Sequence, residues 1–321
     1  MTTVTKREPI HCMLDCYAWI IERAGFDSRP LYSGAWEASY DVSERGIAYF
    51  GEEIDPKRWQ ERMRRLYGAA VVHWCDYGAK RSANFAKLLG LLDDRSDGAF
   101  VLTVDLYHFP HAPRFGSRHL PHIVVFEAPA GGEWRIIDPY FSWSGGVSRE
   151  TLREGFLSGV WLDSAAMHEA APETAAELFR EDIRPGINPL LGDVERFVRE
   201  AVERSGGHAP PTLFESLQQT GVIAKRFGGY ARVFRYLAGR DEEACAALAA
   251  DVAALIQGWE SFLLTIARIG LLKRAADLPA LSEKLARLHE REASIREELL
   301  GALASWSSAA GQAVGHGGSS G

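Results

Sequence analysis

Three residue types that together make a thiol nucleophile occur in this chain in a workable order. Two cysteines, Cys12 and Cys16, lie near the start, His122 opens an apolar run, and Asp138 ends a later one. A thiol is only a few per cent ionised at neutral pH, so it attacks carbonyl carbons well when a histidine takes its proton and a third group orients that histidine. The sequence therefore predicts a cysteine enzyme with a Cys-His-Asp triad.

The position of each cysteine on a predicted helix decides between them. Residues 13–24 have the pattern of a helix that Gly25 ends. Cys12 and Cys16 are four residues apart, so they share one face of that helix. Only Cys12 would lie at the N-terminus, where unpaired backbone N–H groups and the helix dipole stabilise a thiolate. We therefore predict Cys12 as the nucleophile, with Cys16 as the alternative or as a core residue.

The histidine and the carboxylate are predicted to meet across a hairpin. His122 opens a strand at 123–126, and Asp138 ends a strand at 134–137, with a Pro/Gly turn at 129–132 between them. A carboxylate in that place accepts the imidazole N–H, fixes its tautomer and stabilises the imidazolium. We predict His122 as the general base and Asp138 as the residue that orients it.

The elements that position these residues change character near Gly145-Gly146. Before this point helix and strand patterns mix, which predicts an α+β domain with an antiparallel sheet; afterwards helical periodicity dominates. The predicted helices are 13–24, 55–66, 79–92, 190–204, 213–237, 242–274 and 278–306, and the predicted strands are 69–74, 100–106, 123–126 and 134–137. We predict a catalytic domain at 1–145, a helical domain at 146–310 and a Gly/Ser-rich disordered tail at 311–321.

Composition limits the function classes. The chain has 321 residues, 46% of them hydrophobic, and a net charge of −7, which suits a globular protein with a sizeable core and argues against general nucleic-acid binding. The most apolar stretch, 252–272, contains Glu260 and Arg268, so we expect no membrane span. Four irregularly spaced cysteines and a polar start predict a cytoplasmic protein with free thiols.

The motifs resemble known cysteine enzymes. Cys12 with its apolar helix, followed by His122-Ile123-Val124-Val125 and Asp138-Pro139, resembles the papain-like bacteriocin-processing peptidases. The His11-Cys12 pair and the helical second half more closely resemble the butirosin biosynthesis protein H type of acyltransferase. That resemblance implies a papain-like catalytic domain that moves an acyl group from a carrier-protein or CoA thioester to an amine in antibiotic or siderophore biosynthesis. It implies an acyl carrier protein and a small amine as partners. The phosphopantetheine arm enters as part of the substrate, with no separate cofactor.

One departure from the peptidase pattern bears on the reaction. The peptidases have an oxyanion-stabilising glutamine six residues before the cysteine, where this chain has Lys6. The difference favours acyl transfer over proteolysis and leaves the oxyanion to backbone N–H groups at the helix start, including that of Cys12. A thioesterase or peptidase with the same triad is the alternative enzyme, and an inert binding or scaffold protein is the alternative from another class.

A histidine-rich segment precedes the predicted catalytic strand. It contains His108, His111 and His119 together with Arg114 and Arg118. Histidine clusters bind zinc, but this spacing matches no common zinc pattern and the segment has no cysteine. We therefore expect a loop that faces substrate and no metal site.

The remaining predictions concern substrate and partner contacts. An aromatic segment after the first helix has the composition of a wall for the acyl pocket, although ordinary core packing explains it equally well. Besides the triad, the predicted substrate-contacting residues are His11, Cys16, Tyr32, Trp36, His119 and Tyr140. A set of basic residues suits either docking of an acidic carrier protein or a solvated helix face: Arg62, Arg64, Arg65, Lys80, Arg81 and Lys87.

Overall fold

The computed structural model describes residues 8–37, 40–49, 57–92, 98–128, 133–184, 186, 188–272 and 277–316. The chain forms two compact units that alternate along the sequence. The first contains Met1–Leu31 and Lys57–Ala171, and the second contains Tyr32–Pro56 and Pro172–Gly321. The predicted α+β class is confirmed, because an N-terminal helix and antiparallel sheets precede a region made of helices.

The elements are numbered in chain order. The strands are β1 Asp41–Ser43, β2 Gly46–Ala48, β3 Ala70–His73, β4 Gly98–Asp105, β5 Pro121–Glu127, β6 Arg135–Asp138, β7 Trp143–Gly146 and β8 Phe156–Asp163. The α-helices are α1 Cys12–Arg23, α2 Lys57–Tyr67, α3 Arg81–Leu91, α4 Arg149–Gly155, α5 Pro172–Asp182, α6 Pro189–Arg204, α7 Leu213–Leu217, α8 Thr220–Ala224, α9 Gly228–Ala238, α10 Glu242–Leu271 and α11 Leu278–His316.

The first unit is built on a six-stranded antiparallel sheet in the order β3-β8-β4-β5-β6-β7. In the β4–β5 pair, Asp105 lies opposite Pro121 and Val104 opposite His122. Since neighbouring strands run in opposite directions, the end of β4, the start of β5 and the end of β6 lie at one end of the sheet. This places Asp105, His122 and Asp138 at the same end.

The sheet extends past the boundary that we predicted at Gly145-Gly146. These glycines belong to β7, which pairs with β6. After α4, the chain returns as β8, which lies between the edge strand β3 and β4. The first unit therefore continues to Ala171. The glycines have the composition of a linker, but they form an edge strand.

The core of the first unit lies against this sheet. Every residue from Cys12 to Ile21 in α1 is buried, and α1 packs on β5. A second apolar cluster contains Trp74, Phe100, Phe156 and Trp161, with the Trp74 and Phe156 rings stacked at 6.1 Å. Large buried rings contribute most to the burial free energy of such a core. The rigid sheet and α1 are therefore the frame that holds the polar groups at the sheet end.

The second unit contains the predicted long helices. The segment predicted as one helix at 213–237 is divided into α7, α8 and α9, with a 3₁₀ turn at Lys225–Phe227. Helices α9, α10 and α11 pack on one another. Among the described residues, α10 alone is long and apolar enough to cross a membrane by length and composition, and a third of its most apolar window is buried in the protein. Helix α11 reaches His316, and the rest of the predicted tail, 317–321, lies outside the described residues.

Candidate active site

A reciprocal cap fixes the start of α1. His11 is the N-cap residue, and its Nδ1 accepts a hydrogen bond from the Met13 N–H at 3.2 Å. The Asp15 carboxylate in turn accepts hydrogen bonds from the N–H groups of Ile10 and His11, both at 3.1 Å. These contacts satisfy donors that a helix start otherwise leaves unpaired. They make Cys12 the first residue of the helix, as the sequence pattern predicted.

The second cysteine is held as a neutral thiol. Its Sγ donates to the carbonyl oxygen of Ile123 on β5 at 3.4 Å. Burial raises the pKa of Cys16 well above its usual value, and the charges of Asp138, Cys12 and Asp15 raise it further. A thiol in that state is a poor nucleophile, so Cys16 acts as a packing contact between α1 and β5. Its predicted contact with substrate stays a prediction.

His122 and Asp138 meet in the interior of the first unit. His122 Nε2 lies 3.0 Å from Asp138 Oδ1 and 3.1 Å from Oδ2. The Phe141 N–H also donates to Oδ1, at 3.2 Å. Asp138 is 0% exposed and His122 is 5% exposed, so bulk water does not screen the pair. The structure therefore brings the predicted histidine and carboxylate into direct contact.

The charges of this pair stabilise each other. Burial lowers the pKa of His122, but the Asp138 carboxylate and a hydrogen bond with the Cys12 side chain raise it more, to about 10. Burial raises the pKa of Asp138, but His122 and His111 lower it to about 2. At neutral pH the site holds an imidazolium beside a carboxylate. The Cys12 side chain also has a hydrogen bond with His122, so the three predicted residues lie close together.

A second histidine shares the carboxylate, a role that its position in the sequence does not predict. His111 Nε2 lies 3.1 Å from Asp138 Oδ2, and its ring stacks flat on Trp143 at 3.9 Å and 4°. The His111 side chain is 4% exposed. The spacing of the histidines gives no signal for this contact, because it depends on β7, a strand that the sequence pattern does not predict. Asp138 therefore holds two imidazoles at once.

The other predicted contact residues lie in different surroundings. The Tyr140 ring lies edge-on to His122 at 5.6 Å, so it borders the site. His11 caps α1, and His119 contacts Asp105 instead of the triad. Trp36 and Tyr32 belong to the helical unit, where Trp36 stacks on Tyr230 at 4.1 Å. Their contacts with substrate stay predictions.

The predicted basic set is not uniform. Arg62 is buried, with its guanidinium 5.3 Å from the Trp59 ring centroid, while Arg64 pairs with Glu61 on the same helix. Arg62 thus packs inside the unit and is not a surface contact for a partner. Lys6, at the position of the peptidase glutamine, lies outside the described residues.

Comparisons with known proteins cover both units. Residues 8–167 match the family described as DUF6005 N-terminal domain, and residues 173–316 match the family described as DUF6005 C-terminal domain. The chain is also similar to petrobactin synthase from Bacillus anthracis, with 25% identity over 310 residues. That alignment covers 92% of this chain and 95% of the relative. The similarity therefore includes the helical half as well as the segment with the triad.

Proposed function

The chain is made of an N-terminal and a C-terminal DUF6005 domain, and on that premise we propose that it is a biosynthetic acyltransferase with Cys12 as its nucleophile. Its full-length similarity to petrobactin synthase supports a place in siderophore biosynthesis. The proposed reaction moves an acyl group from a carrier-protein or CoA thioester to an amine. The finer likeness to the butirosin biosynthesis protein H family, with its papain-like domain, is part of this proposal.

One observation carries the proposal: His122 contacts Asp138 through Nε2 and also has a hydrogen bond with the Cys12 side chain. An imidazolium beside a cysteine at a helix start stabilises the thiolate form of that cysteine. Because Asp138 holds Nε2, we assign Nδ1 as the nitrogen that exchanges a proton with Cys12. The scaffold alternative gives no reason for this buried, mutually charged arrangement.

The proposed reaction has two balanced steps. In the first, Cys12 Sγ bonds to the thioester carbonyl carbon, the bond from that carbon to the phosphopantetheine sulfur breaks, and His122 gives its proton to the leaving thiolate. In the second, the amine nitrogen bonds to the same carbon while neutral His122 takes a proton from it. The carbon–Sγ bond then breaks, which restores the Cys12 thiolate and the imidazolium. Asp138 holds the ring throughout and stabilises its charged form.

Burial supports transfer over hydrolysis. Cys12 is 2% exposed, and the rings of Tyr140 and Phe141 lie 5.6 and 5.1 Å from that of His122. An acyl group on so buried a sulfur is shielded from water until an acceptor enters. A hydrolase with the same residues is the second candidate. The proposal includes an acyl carrier protein as partner, a small amine as acceptor, a cytoplasmic location and no resident cofactor in the transfer.

Intact-mass spectrometry tests the nucleophile. The full chain is incubated with an acyl-phosphopantetheine thioester and no amine. We expect the mass to rise by one acyl group in the native protein and in Cys16→Ala, and to stay unchanged in Cys12→Ala. Acylation of Cys12→Ala would refute the assignment.

Product analysis then separates transfer from hydrolysis. Acylated protein is mixed with a panel of primary amines or with buffer alone. Transfer predicts that an amine speeds loss of the acyl group and yields an amide. Equal rates with and without every amine, with free acid as the product, would identify a hydrolase.

A further inference from the structure

A second group of polar side chains lies at the same end of the sheet as the triad. Asp105 ends β4, His108 ends the 3₁₀ turn Leu106–His108, and His119 precedes β5. One ligand atom from each residue lies within 4.8 Å of the other two. We propose that Asp105, His108 and His119 bind a divalent transition-metal ion, with Zn²⁺ as the best match.

The donor set agrees with this metal. Two imidazole nitrogens and one carboxylate oxygen are ligands that Zn²⁺ accepts, with bonds of about 2.0–2.2 Å and room for a water as the fourth ligand. Such bonds place neighbouring ligand atoms roughly 3.3 to 3.5 Å apart at tetrahedral angles. His119 Nδ1 lies 2.6 Å from Asp105 Oδ2, so this pair needs to open by roughly 0.7 to 0.9 Å. The His119 side chain is 70% exposed, which leaves it free to make that adjustment and leaves the site open to the ion.

Neighbouring groups orient the ligands. Asp105 Oδ1 accepts the N–H groups of Tyr107 and Leu120, both at 3.1 Å, which leaves Oδ2 for the ion. We assign Nε2 of His108 to the ion, since Glu154 Oε2 lies 3.6 Å from the other ring nitrogen, Nδ1. A carboxylate on the far nitrogen of a ligand histidine is a common feature of metal sites. The Tyr107 ring stacks on His119 at 4.3 Å and 16°.

The proposed ligands are not the three histidines of the histidine-rich segment. The spacing of His108, His111 and His119 matches no common zinc pattern and predicts no metal site. In the structure His111 contacts Asp138 instead, and Asp105 takes the third place. The spacing of the histidines gives no signal for Asp105, because only the fold brings this carboxylate at the end of β4 beside them.

The location indicates what the ion does. Its ligands come from both ends of the loop 106–120, and this loop carries His111, which contacts Asp138. Asp105 pairs with Pro121, the residue before His122. A bound ion joins the two ends of the loop and so restrains His111 beside the carboxylate. This role does not depend on acyl transfer, so the metal site and the proposed function can fail separately.

The test uses the full chain, stripped of metal with a chelator and then titrated with Co²⁺, whose visible absorption reports its ligands. We expect one equivalent to bind with the absorption of nitrogen and oxygen ligands, and Zn²⁺ to displace it. Both His119→Ala and His108→Ala should weaken binding by more than about 100-fold, since even outer-shell changes cost 10–100-fold. The matched control is His73→Ala, a change at an exposed histidine of the same unit that pairs with Gln60; this variant should bind as the native protein does.

Loop protection gives a second readout that does not require activity. Arg114 and Arg118 are exposed trypsin sites in the loop. Zn²⁺ should slow cleavage there in the native protein and in His73→Ala but not in His119→Ala. The proposal is overturned if Co²⁺ does not bind, if His119→Ala binds it normally, or if a near-ultraviolet sulfur-to-cobalt band shows that cysteines are the ligands.

Discussion

Replacing His111 by phenylalanine tests whether the second imidazole positions the triad. Phenylalanine keeps a flat ring to stack on Trp143, as the His111 ring does at 3.9 Å in the native protein. It lacks the N–H that lies 3.1 Å from Asp138 Oδ2. Asp138 is fully buried, so water does not replace the lost donor. The carboxylate is then left with His122 and the Phe141 N–H.

The size of the effect follows from the kind of bond removed. A hydrogen bond to a charged group contributes about 1.5–3 kcal/mol. We expect His111→Phe to lower the free energy of unfolding by about that amount. If the carboxylate also loses its orientation, and His122 with it, the same free energy sets an upper limit of roughly 10- to 150-fold on the loss of acylation rate. The pKa of His122 should also rise, since a donor that offsets the Asp138 charge is gone.

Single-turnover acylation followed by intact-mass spectrometry measures the rate, and urea titration measures the stability. His111→Gln keeps an N–H donor and should recover part of the rate, while His73→Phe is the matched control and should behave as the native protein does. If His111→Phe acylates within twofold of the native rate while its stability falls as calculated, His111 supports the fold only and the positioning argument is wrong.

Three further predictions concern the same end of the sheet. Iodoacetamide at pH 6 should label Cys12 and spare Cys16, because burial and nearby charges raise the pKa of Cys16; peptide mapping that finds Cys16 labelled first would contradict this. Asp15→Ala should lower stability by about 1–2 kcal/mol in thermal unfolding, since it removes the cap on the Ile10 and His11 N–H groups, whereas Asp15→Asn should lose less. The stabilisation from His122 should be complete below pH 6.5 and be lost as the pH rises toward 10, because its folded pKa of about 10 lies above the unfolded value. In urea titrations, the free energy of unfolding should therefore fall by about a few kcal/mol over that pH range, and His122→Gln should abolish this pH dependence.

Much of the site could be predicted because its signals are local. The apolar pattern that follows Cys12, together with Gly25, predicts a helix start at this cysteine. Helix α1 begins at Cys12. His122 and Asp138 can be paired from the sequence because each lies at one end of a strong strand pattern. A hairpin between the two strands brings those ends together. The preference for Cys12 over Cys16 followed from their positions on the helix, and the raised pKa of Cys16 agrees with it.

The rest depends on contacts between distant parts of the chain. Strand β8 lies between β3 and β4, although fifty residues separate it from the end of β4. No local pattern shows that insertion, so the change of pattern at Gly145-Gly146 predicts a domain boundary where the structure has β7. The role of His111 was missed for the same reason, since its ring needs Trp143 from that strand. Pairing over long sequence distance is the part of a fold that local patterns specify least.

The alternation of the two units has a consequence for synthesis on the ribosome. Residues 32–56 belong to the helical unit, yet they emerge over a hundred residues before Pro172, where the helices of that unit resume. The sheet is incomplete until β8 has emerged, because that strand joins the edge strand β3 to β4. Domains usually fold in the order in which they are made. Here the early segment waits for its partners while the sheet completes. A fragment that stops at residue 145 therefore lacks β8, which joins β3 to β4, and one that begins at 172 lacks the first part of its own unit.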